Sequence, residues 1–82
     1  MIIKYPLSTE KSIRLMESEN KLVFVVDSKA DKPGIKKAIE ETFNVKIVNI
    51  NTINDAKGRK KAYVRLSDET PAIDLATKLG LM

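Results

Sequence analysis

Five cations, Lys57, Arg59, Lys60, Lys61 and Arg65, fall within residues 56–65, a stretch that holds no acid. Side chains of these types at this density bind anions: Lys is a mobile point charge, and Arg forks across two phosphate oxygens. Asn49 and Asn51 precede the cluster and Tyr63 sits inside it. A carboxamide can read a base edge or a 2′-hydroxyl, and a phenol can stack on a base or simply cover a sheet. The whole chain has 82 residues with 15 Lys and Arg against 11 Asp and Glu, a net charge of +4. Without those five cations, ten basic residues stand against eleven acidic ones, so the rest of the chain sums to −1. The excess positive charge is therefore local. It suits the phosphates and sugars of a nucleic acid. It also suits a solvated loop tip, or a protein-binding face whose cations discourage edge-to-edge pairing. Copurified nucleic acid separates the two readings.

Other chemistry is limited by what the chain lacks. With no Cys and no His, there is no disulfide framework, no thiolate or imidazole metal site and no neutral-pH general base. Ser8, Thr9 and Ser12 have no histidine partner, and only Lys11 stands near enough in sequence to activate them. Glu40 and Glu41 are adjacent, so on a helix they point apart and make a poor acid/base pair. Lys32-Pro33-Gly34 lacks the glycine pattern of a phosphate-binding loop. Asp27 and Asp31 read as turn and cap residues, and Phe24 and Phe43 as core. Nothing here calls for a metal, a cofactor or an enzymatic role. The longest apolar run, Leu22 to Val26, is far below the roughly 20 residues that span a bilayer, and the N-terminus does not read as a signal peptide. The expected setting is the cytoplasm, without membrane insertion.

The elements that position these residues follow from periodicity. Met1 to Tyr5 reads as a short strand ended by Pro6. Ser8 or Thr9 caps a helix with Ile13 and Met16 inward and a Glu10–Arg14 pair outward. Lys21 to Asp27 is a strand whose five consecutive apolar residues require cover on both faces. Asp31 caps a second helix with Pro33 in its first turn. Ile35, Ala38, Ile39, Thr42 and Phe43 form its apolar side, and Lys36, Lys37, Glu40 and Glu41 face out. Strands at Val45–Ile53 and Lys60–Leu66 follow. A last helix opens at Thr70-Pro71, with Ile73, Ala76 and Leu79 inward, an Asp74–Lys78 pair and Gly80 as its stop. The order is β-α-β-α-β-β-α, an α+β fold in which a small antiparallel sheet of about four strands packs with helices as a three-layer α/β/α sandwich. Residues 1–82 make one domain.

Turn chemistry sets the register of the basic hairpin. A three-residue loop at Ala56, Lys57 and Gly58 puts Gly58 in the left-handed conformation. Asp55 then faces Arg59, Ile53 faces Lys61, Asn51 faces Tyr63 and Asn49 faces Arg65. On the other face Thr52 meets Ala62, Ile50 meets Val64 and Val48 meets Leu66. The first set is mostly polar and the second mostly apolar, and a one-residue slip would mix them.

These residues also carry a resemblance. Ile3-Lys4-Tyr5-Pro6-Leu7 with Thr9-Glu10-Lys11 resembles the opening of the universal large-subunit ribosomal protein twenty-three family. So do Lys32-Pro33, Ile35-Lys36 and Ala38-Ile39-Glu40 in the central helix, and Phe43, Val45, Val48, Asn49 and Asn51-Thr52 in the strand after it. Lys57-Gly58-Arg59-Lys60-Lys61-Ala62-Tyr63-Val64 resembles the family's hairpin and returning strand. The similarity covers essentially the whole chain. It implies a structural role in the large ribosomal subunit, binding large-subunit rRNA at the rim of the polypeptide exit tunnel. It also implies a neighbouring small ribosomal protein there, and a part in docking the signal recognition particle. RNA contact is carried onto Thr9 and Lys11, onto Asn49, Asn51 and Thr52, and onto Lys57, Gly58, Arg59, Lys60, Lys61, Tyr63 and Arg65. The last hairpin is shorter than the tunnel-extending loop of bacterial members, which argues against a direct tunnel-lining role. The long basic N-terminal extension of eukaryotic members has no counterpart in these residues, and the compact form resembles archaeal members.

Overall fold

The computed structural model describes residues 2–79. Their elements are β1 (Ile3–Pro6), α1 (Glu10–Glu19), β2 (Lys21–Val26), α2 (Lys32–Phe43), β3 (Ile47–Asn54), β4 (Lys60–Leu66) and α3 (Ala72–Lys78). This is the expected α+β fold in the expected order. The strands form one antiparallel sheet in the order β1-β2-β4-β3. The proposed stop at Gly80 lies outside the described residues. Among those described, no helix is long and apolar enough to cross a membrane.

Local chemistry accounts for the helix starts. The Ser12 N–H donates to Thr9 Oγ1 at 3.2 Å, and the Thr9 N–H donates to Ser12 Oγ at 2.7 Å. This reciprocal box satisfies two backbone donors that a helix start leaves free. On the exposed side of α1, Arg14 pairs with Glu10 at 2.6 Å. Asp31 Oδ1 accepts the Gly34 N–H at 2.8 Å and caps α2. Asn20 and Asn44 end α1 and α2 at φ 56° and 55°, the left-handed geometry that Asn tolerates better than most residues.

One core lies between the sheet and the helices. Leu22, Phe24 and Val26 of β2, Ala62, Val64 and Leu66 of β4, and Ile47 and Ile50 of β3 face Met16, Ile35, Ile39, Ala72, Leu75 and Ala76. The Phe24 and Phe43 rings stack within it at 5.8 Å. Complete burial of Ile35 and Ile39 makes α2 the main lid; removing either side chain would cost about 2–5 kcal/mol.

The α/β/α layering is uneven. Val23 and Val25 point to the far face of β2, yet they are only 4% and 2% exposed. Over Val23, α1 supplies cover: Thr9, Lys11 and Leu15 line a shallow cleft with Leu7, Val23, Lys61 and Tyr63. Val25 is flanked in register by Tyr5 on β1 and Lys61 on β4. Side chains make up the layer there.

Several local expectations change. Leu66 pairs with Ile47, not Val48, because a bulge interrupts β3 between Ile47 and Asn49. The extra residue turns Val48 out to 58% exposure and Ile47 in to 4%. A bulge adds one residue to one strand, so alternation restarts beyond it. In α3 the inward residues are Ala72, Leu75 and Ala76, while Ile73 is 45% exposed. Thr70 does not cap this helix: its start has no side-chain cap from its own flank, and the Ala72 N–H donates instead to Asn20 Oδ1, 52 residues earlier in the chain. Asp74 and Lys78 form no ion pair. Finally, Thr42 is exposed, and Glu40 turns back so that its Oε2 accepts the Ile47 N–H at 3.1 Å.

Candidate nucleic-acid interface

The β3–β4 hairpin has the register that turn chemistry requires up to the bulge. Asn49 pairs with Arg65, Asn51 with Tyr63, Ile53 with Lys61, Ile50 with Val64 and Thr52 with Ala62. Gly58 has φ 79°, and the Asp55 and Arg59 backbones close the loop through an N–H to O bond of 2.9 Å. This is a three-residue hairpin loop with glycine at its left-handed position.

Strand alternation sorts the cations. Lys61, Tyr63 and Arg65 share the far face of the sheet with Asn49, Asn51 and Ile53, since their register partners lie on that face. Thr9 and Lys11 join them through the cleft that α1 forms with Lys61 and Tyr63. Lys57 and Gly58 stand exposed at the tip, and Asn49, Asn51 and Arg65 are exposed along the rib. Two expected RNA-binding residues are not brought to this face. Thr52 pairs with fully buried Ala62 on the core side. Lys60 also points away, and its Nζ donates to the Ala30 carbonyl at 2.6 Å, tying the hairpin to the loop before α2.

An acid outside the cationic run governs its tip. Asp55 Oδ1 accepts the N–H groups of Lys57 and Arg59, both at 2.9 Å. Asp55 Oδ2 receives Arg59 Nε at 2.8 Å and has Lys61 Nζ at 3.8 Å. The Arg59 N–H bond, helped by the guanidinium and the Lys57 N–H, holds the Asp55 carboxyl below its ordinary range. Arg59 Nη1 donates to the Tyr5 hydroxyl at 3.3 Å, and this bond with Asp55 raises the Arg59 guanidinium above its already high value. Because β2 lies between β1 and β4, the Arg59–Tyr5 bond crosses over β2. Lys11, Lys57 and Arg65 have no carboxylate within 4 Å among the described residues.

Asp55 and Tyr5 join this site without having been expected in it. Asp55 carries a legible signal: an Asp two residues before a Lys and four before an Arg, at the first position of a Gly-containing turn, is placed to bind its own loop. Tyr5 carries none, being 54 residues from Arg59. The phosphate-loop reading of Lys32-Pro33-Gly34 is answered by the Gly34 N–H, which Asp31 occupies. Among the described residues no group of three or more acidic, His or Cys side chains is placed to hold a metal ion.

The model of the family described as Ribosomal protein L23 matches residues 1–59. The chain belongs to the ribosomal protein L23 family. Relatives carry the similarity on through β4 and α3. The large ribosomal subunit protein uL23 of Methanococcus aeolicus is 46% identical over 80 residues, 98% of this chain and 93% of that protein. The uL23 protein of Tetrahymena thermophila is 46% identical over 81 residues, 99% of this chain and 54% of its own length. That of Trypanosoma brucei brucei is 49% identical over 81 residues, 99% and 49% respectively. The chain thus spans about half the length of the two eukaryotic relatives and nearly all of the archaeal one. Each of these relatives is a protein of the large ribosomal subunit.

Proposed function

We propose that this chain is a structural constituent of the large ribosomal subunit and that residues 1–82 act as a single domain binding large-subunit rRNA through the far face of the sheet. One observation carries the reading. The fold places Lys11, Lys61, Tyr63, Arg65, Asn49 and Asn51 on one surface, with Lys57 at its tip, while the chain outside residues 56–65 is slightly acidic. The cations neutralise phosphates where RNA segments meet, and Asn and Tyr add local fit. RNA shape supplies most of the specificity, because the major groove of an A-form helix is too narrow for side chains to read. Thr52 and Lys60 act through the hairpin's own structure.

The position follows from the family resemblance: the cytoplasmic ribosome, at the rim of the exit tunnel beside a small ribosomal protein. There the surface left free by RNA helps dock the signal recognition particle. The RNA-binding reading is tested by the salt dependence of affinity for a large-subunit rRNA fragment. Neutralising Lys57, Lys61 and Arg65 should weaken binding and reduce the salt slope by roughly one unit for each phosphate that is no longer neutralised. Affinity that stays constant between low and moderate salt rules it out.

A further inference from the structure

We propose that Asp55 is a specificity-determining positioning residue, which fixes Arg59 across the sheet so that the hairpin selects folded RNA over polyanions in general. The proposal rests on the RNA-binding reading above and adds how that surface discriminates.

The geometry is specific to the tip. The Asp55 side chain is only 13% exposed, and both of its oxygens are engaged: one by the Lys57 and Arg59 N–H groups, the other by Arg59 Nε with Lys61 Nζ nearby. The Arg59 guanidinium is thereby held at Nε by Asp55 and at Nη1 by Tyr5. Nη2 has no partner among the described residues, and the side chain keeps 34% exposure, so one edge stays open to a phosphate oxygen. A free Arg swings to meet an anion wherever it lies. A fixed one favours RNA whose phosphate already sits in front of Nη2, because the ordering cost is met during folding. Asp55 also offsets part of the positive field at Arg59 and Lys61, which lowers attraction for chains with no matching shape.

Charge counting predicts the opposite. By that measure Asp55 is a defect in a cationic patch, and removing it should tighten every polyanion. The experiment uses the full chain with Asp55→Asn, which retains a carboxamide oxygen for the loop N–H groups, and with Tyr5→Phe, which removes the second anchor at constant charge. Hydrogen exchange at Arg59 Nε, read by NMR in the free protein, reports the clamp alone. Affinities for an rRNA fragment and for heparin at matched salt report selection.

With Asp55→Asn, Arg59 Nε–H exchange should accelerate, heparin should bind more tightly with a salt slope steeper by about one unit, and rRNA affinity should fall roughly tenfold. With Tyr5→Phe, rRNA affinity should fall while heparin affinity holds. Unchanged Arg59 exchange in Asp55→Asn overturns the clamp, and rRNA and heparin tightening together overturns its role in selection. If the unaltered protein binds the two polyanions alike, selection falls while rRNA binding stands; if it does not bind the rRNA fragment, the RNA reading falls and selection with it. The exchange rate judges the clamp in either case.

Discussion

Asn20 Oδ1 accepts the Ala72 N–H at 2.6 Å, so the residue that ends α1 also starts α3. Its amide nitrogen lies 3.1, 3.2 and 3.3 Å from the carbonyl oxygens of Leu66, Ser67 and Thr70. Its own carbonyl receives the Leu66 N–H at 3.0 Å. The β4–α3 junction is therefore built around one carboxamide from a distant turn. Asn20→Ala should destabilise the fold by about 2–4 kcal/mol, through buried backbone groups left unpaired and a strained left-handed residue. Asn20→Gly removes the same bonds without the strain and should cost about 1 kcal/mol less. Urea unfolding of the pair separates the two terms, and equal costs would show that strain contributes nothing.

The bulge makes neighbouring residues opposite in effect. Ile47→Ala should cost about 2–4 kcal/mol and Val48→Ala less than about 0.5 kcal/mol, since only the first side chain lies in the core. The unbulged register requires the reverse ranking. Thermal melts of the two variants decide between them.

Acid should weaken the fold through two carboxylates. Asp27 and Asp55 both sit below the ordinary value of 3.8, Asp27 chiefly through the Lys29 N–H and Asp55 chiefly through the Arg59 N–H. A depressed folded-state pKa contributes stability above the unfolded value, and that contribution is lost as pH falls through the lower folded value. Unfolding midpoints should therefore drop from about pH 5 downward, and Asp55→Asn should flatten part of the slope. A slope that Asp55→Asn leaves unaltered would exclude Asp55 as a contributor.

Lysines in one short run should separate by role. Lys60 holds the Ala30 carbonyl, so Lys60→Gln should lower stability by about 1 kcal/mol. Lys57 is exposed at the tip, so Lys57→Gln should leave stability within about 0.5 kcal/mol while reducing RNA affinity and its salt slope. Paired unfolding and binding curves test both halves, and matching profiles for the two variants would refute the division.

Where one local rule dominates, residues announce the structure directly. Gly58, Asp31 and Thr9 each solve a turn or cap within a few positions of themselves, and five consecutive apolar residues in β2 require two-sided cover. Sequence and structure part where distant groups intervene. In α3, Ile73 competes with Ala72 for the inward direction, and only packing beneath Leu75 and Ala76 decides the phase of the stripe. Val48 and Ile47 are equally apolar neighbours, so a bulge between Ile47 and Asn49 leaves alternation ambiguous. At the candidate interface, Lys60 and Lys61 look alike in one dimension, and strand pleating sends them to opposite sides. Thr52 has the expected register with Ala62, and that register itself puts it on the core face; resemblance gathers residues into a site without regard to face.

The strand order has a consequence for how the chain can be made. Lys21 pairs with Arg65 and Val26 with Lys60, so β2 meets its β4 partner only after more than thirty further residues have been made. During N-to-C synthesis, β2 has no β4 ladder to join until Lys60–Leu66 emerges. The β3–β4 hairpin closes across three residues and pairs locally on the order of microseconds, whereas joining β2 to it closes a far longer loop. The cationic rib is thus the ladder with the shortest connection between its strands, and it can close before the longer-range β2–β4 ladder forms.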